Sequence, residues 1–266
     1  MKDGHIHTPF CPHGTKDSFE EYIEKAITLG FTEITFTEHA PLPNGFIDTT
    51  PEKDSAMKLE ELDDYFGKIE QMKRMYHNKI HINCGLELDY IEGYETEITD
   101  FLNQYGARLD DAILSVHFLK HQKGYDCLDY SPDVFEKLIQ IYGALQAVYN
   151  SYFQTVLKSI LVDLGPYKPR RIGHITLVKK FQNRFTPEFD YRDEILQLLT
   201  AVKDHGYELD YNGAGTAKPL CRETYPPQWV AEEAARQNIP LIYGSDAHQV
   251  KELKQGFEQL IPHTKN

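Results

Sequence analysis

The chain has no CxxC pair, no apolar run approaching the roughly 18 residues of a membrane span, and no surplus of positive charge, and each lack removes a class of function. Cys11, Cys84, Cys127 and Cys221 are scattered, so they read as reduced thiols rather than a disulfide framework. No apolar leader precedes the first polar residues, and the expected location is the cytoplasm, with no membrane attachment. Lys and Arg number 28 against 41 Asp and Glu, a formal net charge of −13. That balance argues against a broad basic surface and therefore against nucleic acid as a partner. An anionic substrate would need a local attractor, and a bound metal would serve.

What is present is length and alternation. The 266 residues, 41% of them hydrophobic, can bury one large core. Neither a repeat, a low-complexity linker nor a break in composition divides them, so a single domain over residues 1–266 is expected. Short β-rich runs alternate with helical stretches. The runs end at HIH, then follow as EITFT, HINCGLELDY, DDAILSVHF, RRIGHITL, GYELDYN and IPLIYGSD. Between them KDSFEEYIEKAITLG carries Phe19, Tyr22, Ile23, Ala26 and Ile27 at helical spacing, and EELDDYFGKIEQMKRMY, DEILQLLTAVKDHG and PQWVAEEAARQN follow suit. Residues 130 to 165 form the longest helical region, and its aromatic and aliphatic stripe reads as core. Seven strands separated by helices predict an α/β fold of parallel strands closed into a barrel.

The polar residues fall at the ends of those strands. The first gives His5 and His7, two apart and so on one face, with His13 in the next loop. The second gives Glu38 and His39, the third Glu87, the fourth His117, the fifth His174, the sixth Asp210 and Asn212, the seventh Asp246 and His248. In a β/α barrel the active site is assembled at that end of the strands. A buried histidine or carboxylate is costly unless it is paired or binds metal, and so many at one rim point to a metal site. Cys11 lies in the same loop as His13, where packing is the simpler role. His77, His81, His121, His205 and His263 sit at helix ends, in loops, at a strand start or in the tail, and take no ligand role.

The ordered series DGHIH, CPHG, TEH, GLE, SVH, GH and GSDAH resembles the polymerase and histidinol phosphatase (PHP) family. The stretches HTPFCPHGT, FTEHAPLP, ILSVHFL and KPLCRE, taken with the length, resemble its L-histidinol-phosphate phosphatase branch. The resemblance implies a distorted seven-stranded TIM-like barrel holding three divalent metal ions, zinc, iron or manganese. It further implies that His5 and His7 hold one ion with Glu87 and Asp246, that Glu87 bridges to a second held by His117 and His174, and that His13, His39 and His248 hold a third.

The activity so implied is hydrolysis of L-histidinol phosphate to L-histidinol and phosphate in histidine biosynthesis, by attack of a metal-bridging hydroxide. The alternative is a PHP-type phosphoesterase or nuclease acting on another phosphorylated small molecule or a nucleic acid end. Asp246, His248 and a metal-bound water are candidates for proton delivery to the leaving group. Lys180 and Arg222 are candidates for holding phosphate oxygens. Glu38 is a candidate either for binding the substrate or for orienting His39. The partner expected is a small phosphate ester, with no obligate protein partner evident. The loop PLPNGFID is a candidate rim element.

Overall fold

The computed structural model describes residues 1–262, so His263 lies outside the described residues. Seven parallel strands pair in the order β1 (Lys2–Ile6), β2 (Glu33–His39), β3 (His81–Asp89), β4 (Asp111–Ser115), β7 (Arg171–Ile172), β8 (Glu208–Asn212) and β9 (Leu241–Gly244). The ends meet: the Asp246 amide donates to the His5 carbonyl at 2.7 Å, and the His7 amide to the Ala247 carbonyl at 3.0 Å. These two bonds nearly close the sheet into the expected barrel, and they place the last loop directly beside the first histidines.

The helices pack outside the strands for the reasons their sequences give. In α1 (Phe19–Thr28), Ser18 and Glu21 form a reciprocal cap at the N-terminus, and Phe19, Tyr22, Ile23 and Ala26 are buried. Burying each large side chain of that face contributes about 1.5–3 kcal/mol before entropy is counted. From α2 (Leu62–Tyr76), Tyr65 reaches between β2 and β3, where its hydroxyl donates to the Gly85 carbonyl at 2.7 Å. The remaining helices are α3 (Glu95–Tyr105), α4 (Pro132–Tyr142), α5 (Leu145–Leu161), α6 (Arg192–Asp204) and α7 (Gln228–Arg236).

The structure corrects three details of the expected fold. The helical region over residues 130 to 165 is two helices, because Gly143 takes a left-handed φ of 83° that ends α4. The run DDAILSVHF stops at Ser115, and Phe118 begins a separate antiparallel hairpin of β5 (Phe118–His121) and β6 (Gly124–Cys127). Phe46 of the PLPNGFID loop packs on that hairpin, with ring centroids 5.0 Å from Phe118 and 5.2 Å from Tyr125. The run RRIGHITL contributes only Arg171–Ile172 to the sheet. At Gly173 the chain passes so close to β4 that a Cβ would lie 2.0 Å from Ser115 Oγ. That approach delivers His174 inward before a short 3-10 helix begins at Leu177.

Candidate metal centre

Glu87, buried on the inner face of β3, is where the strand ends converge. Its Oε2 lies 3.3 Å from His5 Nε2, 3.6 Å from His7 Nε2 and 3.2 Å from His39 Nδ1. Its Oε1 lies 2.9 Å from His174 Nε2 and 3.8 Å from His117 Nε2, and accepts a hydrogen bond from Ser115 Oγ at 2.6 Å. Five imidazoles from the ends of four strands thus surround one carboxylate. Asp246 stands beside them, with Oδ1 3.1 Å from His7 Nε2, at a left-handed φ of 52° that aspartate tolerates better than most residues.

The far nitrogens of several rings are already engaged. His5 Nδ1 meets Asp210 Oδ2 at 2.9 Å, His7 Nδ1 meets Glu38 Oε1 at 3.2 Å, and His117 Nδ1 meets Asp89 Oδ1 at 2.7 Å. An Nδ1–H held by a carboxylate fixes the ring and leaves the Nε2 lone pair pointing inward, which is how proteins orient metal-binding histidines. His7 Nε2 is buried and has no well-aligned hydrogen bond among the described residues. An unsatisfied buried group costs about 1–3 kcal/mol, and a cation would remove that cost.

Three overlapping groups have all their ligand atoms within 4.8 Å of one another: His5, His7 and Glu87; Glu87, His117 and His174; and His7, Cys11, His39 and His248. Metal bonds of about 2.0–2.3 Å require ligand atoms spaced in this way, so the residues fit divalent cations. His13 borders the third group at the exposed rim, its ring centroid 5.1 Å from His39 and 5.0 Å from His248, with Nδ1 on the Asp54 carbonyl at 2.7 Å.

The protonation states follow from this crowding. Burial alone would raise Glu87, but the charges on His5 and His117 and the hydrogen bond from His174 hold it well below the usual carboxylate range. Burial would lower His7, yet Asp246 and Glu38 raise it to about 9; Asp89 raises His117 to about 10 against the same penalty. Burial and the charge on His7 push His39 and His248 well below the ordinary imidazole value, so both offer neutral rings.

A cavity of about 480 Å³ opens over these groups. Lys180 lines it, its ammonium 2.8 Å from Asp129 Oδ2, and Asp129 keeps the lysine charged despite its burial. Arg222 is exposed, at a left-handed φ of 65°, and is not among the cavity-lining residues; of the basic residues in KPLCRE it is Lys218 that faces the cavity. Glu38 is fully buried and turned away from the cavity. It accepts from the amides of Thr8 at 2.9 Å and His39 at 3.0 Å, and the ring it holds is that of His7, not of His39.

The sequence reading passed over Asp89 and gave Asp210 no role. Both were findable: Asp89 is two residues beyond Glu87 on one strand face, and Asp210 ends β8 inside the barrel. Asn212 joins this frame, donating to Asp210 and to Asp246, each at 3.1 Å. Gly244 leaves room for the His5–Asp210 contact, since a Cβ there would lie 2.5 Å from Asp210 Oδ1.

Comparison with known proteins agrees with this geometry. The PHP domain family matches residues 3–214. The chain is 46% identical over 262 residues to the histidinol-phosphatase of Bacillus subtilis, covering 98% of each protein. It superposes with a TM-score of 0.95 on a Listeria monocytogenes crystal structure described as a "putative histidinol phosphatase", at 41% identity over 98% of this chain and all of that one. A histidinol phosphate phosphatase from Lactococcus lactis, solved with zinc, L-histidinol and phosphate, shares the fold with a TM-score of 0.67 at 20% identity, over 94% of this chain and 86% of that one. The arrangement of strand-end histidines around Glu87 and the match along nearly the whole length lead to one assignment: the chain belongs to the PHP domain family.

Proposed function

We propose that this protein is a metal-dependent phosphomonoesterase that hydrolyses L-histidinol phosphate to L-histidinol and phosphate, a step of histidine biosynthesis. The observation that carries the proposal is the convergence of five histidines on the buried Glu87 beneath an open cavity. The full-length relative from Bacillus subtilis bears this activity in its name, and the Lactococcus lactis protein of the same fold holds both reaction products with zinc. We read residues 1–266 as one domain of this type.

Three divalent cations, of zinc, iron or manganese, are proposed. The first is assigned to His5, His7, Glu87 and Asp246, the second to Glu87, His117 and His174, and the third to His13, His39 and His248. Bound there, such ions would lower the pKa of water from about 15.7 toward about 7 and offset the charge of the phosphate.

The chain's own groups do the rest. Lys180 and Lys218 face the cavity and are placed to hold phosphate oxygens, giving an acidic protein a local attraction for a dianion. Burial opposes ionisation of Asp246, but the charges on His5 and His7 keep its carboxylate ionised, and it can take up a proton and return it. His248 donates its Nδ1–H to the Asp246 backbone carbonyl at 3.0 Å, which fixes the ring and leaves Nε2 as its one free nitrogen; with that nitrogen on the third cation, proton delivery to the leaving oxygen falls to Asp246. Asp54, Glu252 and Tyr130 line the cavity and suit the ammonium and imidazole of the departing histidinol.

The test is steady-state phosphate release from L-histidinol phosphate and from an aryl phosphate, on metal-loaded protein. A far higher kcat/KM for histidinol phosphate is expected. Equal turnover of the two would remove the substrate assignment, and no release from either, with cleavage of a phosphodiester by the same protein, would move it to the nuclease alternative.

A further inference from the structure

Cys11 occupies a position that the family ligand set leaves to no cysteine. It opens the tight turn Cys11–Pro12–His13–Gly14, anchored where the Cys11 amide donates to the Thr8 carbonyl at 2.9 Å. The turn buries the sulfur completely and leaves His13 at the exposed rim, so one short segment presents two donors at different depths. Burial pushes the Cys11 thiol well up, and the nearby amides of His13 and Gly14 offset this only in part. Its position is also tightly constrained, for a Cβ on Gly14 would lie 3.4 Å from Sγ and 3.3 Å from the His248 carbonyl oxygen.

The surroundings point to a cation independently of the cysteine. Sγ lies within 4.8 Å of ring nitrogens of His7, His39 and His248; His7 Nε2 is assigned to the neighbouring cation, which leaves the sulfur, His39 and His248 gathered about this one. Cys84, Cys127 and Cys221 are equally buried, yet none belongs to such a group among the described residues. Burial of a small hydrophobe explains those three. It does not explain a sulfur set among three imidazoles.

We propose that Cys11 is a ligand of the cation held by His39 and His248, which gives that position a mixed sulfur and imidazole donor set. This rests on the metal reading given above and adds a donor to it. When the sulfur–metal bond forms, the S–H bond breaks and its proton passes to solvent, since a coordinating thiol is deprotonated outright. The position thus has Cys11, His39 and His248 within reach of one another, with the His13 ring bordering them at the rim, and its sulfur favours zinc over manganese. The sulfur donor should slow the loss of this ion to a chelator.

Cobalt(II) loading of the metal-free protein tests the proposal without reference to activity. The wild type is expected to show a near-ultraviolet thiolate-to-cobalt charge-transfer band beside the visible ligand-field bands. Cys11→Ala and the closer-fitting Cys11→Ser should lose the first and keep the second, and should release one ion more quickly to a chelator. Ligand-field bands without a charge-transfer band in the wild type would overturn the Cys11 assignment and leave the histidine cluster standing. Failure of the wild type to bind cobalt at all would overturn both.

Discussion

His117 Nδ1 lies 2.7 Å from Asp89 Oδ1, and this contact turns His117 Nε2 toward Glu87, two residues before Asp89 on the same strand. One strand face therefore supplies both the carboxylate at the centre and the carboxylate that orients one of its neighbours. Replacing Asp89 by Ala should lower metal affinity or kcat/KM by about 10–100-fold while the fold persists. Zinc titration with circular dichroism on the same samples checks this. Unchanged affinity in a folded variant would remove Asp89 from the account.

Glu38 discriminates between binding the substrate and positioning a ligand. Because its carboxylate meets His7 at 3.2 Å and is buried away from the cavity, Glu38→Gln should reduce metal content and kcat while leaving KM nearly unchanged. A variant with a full metal complement and a raised KM would restore Glu38 to the substrate pocket.

Metal affinity should rise with pH. Near neutral pH the metal-free protein carries protons on His7, raised to about 9, and on His117, raised to about 10, and each must leave before its ring can bind a cation. Metal loading is thus expected to release at least those protons, measurable by calorimetry in buffers of different ionisation enthalpy. The raised values also mean that these rings stabilise the metal-free fold most below the ordinary imidazole range, and that this contribution fades as pH climbs through about 9 to 10. Proton-neutral loading would contradict the arrangement.

The phosphate-binding lysines separate from their neighbour. A charge-assisted hydrogen bond contributes about 1.5–3 kcal/mol, so Lys218→Ala and Lys180→Ala should each raise KM by about 10- to 100-fold. Arg222→Ala, exposed and outside the cavity lining, should change KM little. Initial-rate kinetics on the three variants decide it, and a larger effect at Arg222 would reverse the assignment.

The barrel and its ring of histidines were legible because both rest on periodicity. Alternating runs imply parallel strands, and a polar residue closing an apolar run marks a strand end, which brought His5, His39, Glu87, His117, His174 and Asp246 into one list before any coordinate. What escaped was set by tertiary contacts. The Gly173 approach to Ser115 that cuts β7 short, the stop at Gly143 and the turning of Glu38 toward His7 depend on neighbours distant in sequence. Within KPLCRE, spacing could not show which of Lys218 and Arg222 faces inward, because the backbone there turns at a left-handed Arg222.

The central claim is that Glu87 organises a cluster of cations, and counting ions per chain tests it most directly. Elemental analysis of wild type and Glu87→Gln, each metal-loaded and then desalted exhaustively, should find three ions in the wild type. The variant, which keeps the size of the side chain but not its charge, should hold fewer. A wild type that retains no metal, or a Glu87→Gln protein with the full complement, would contradict the account.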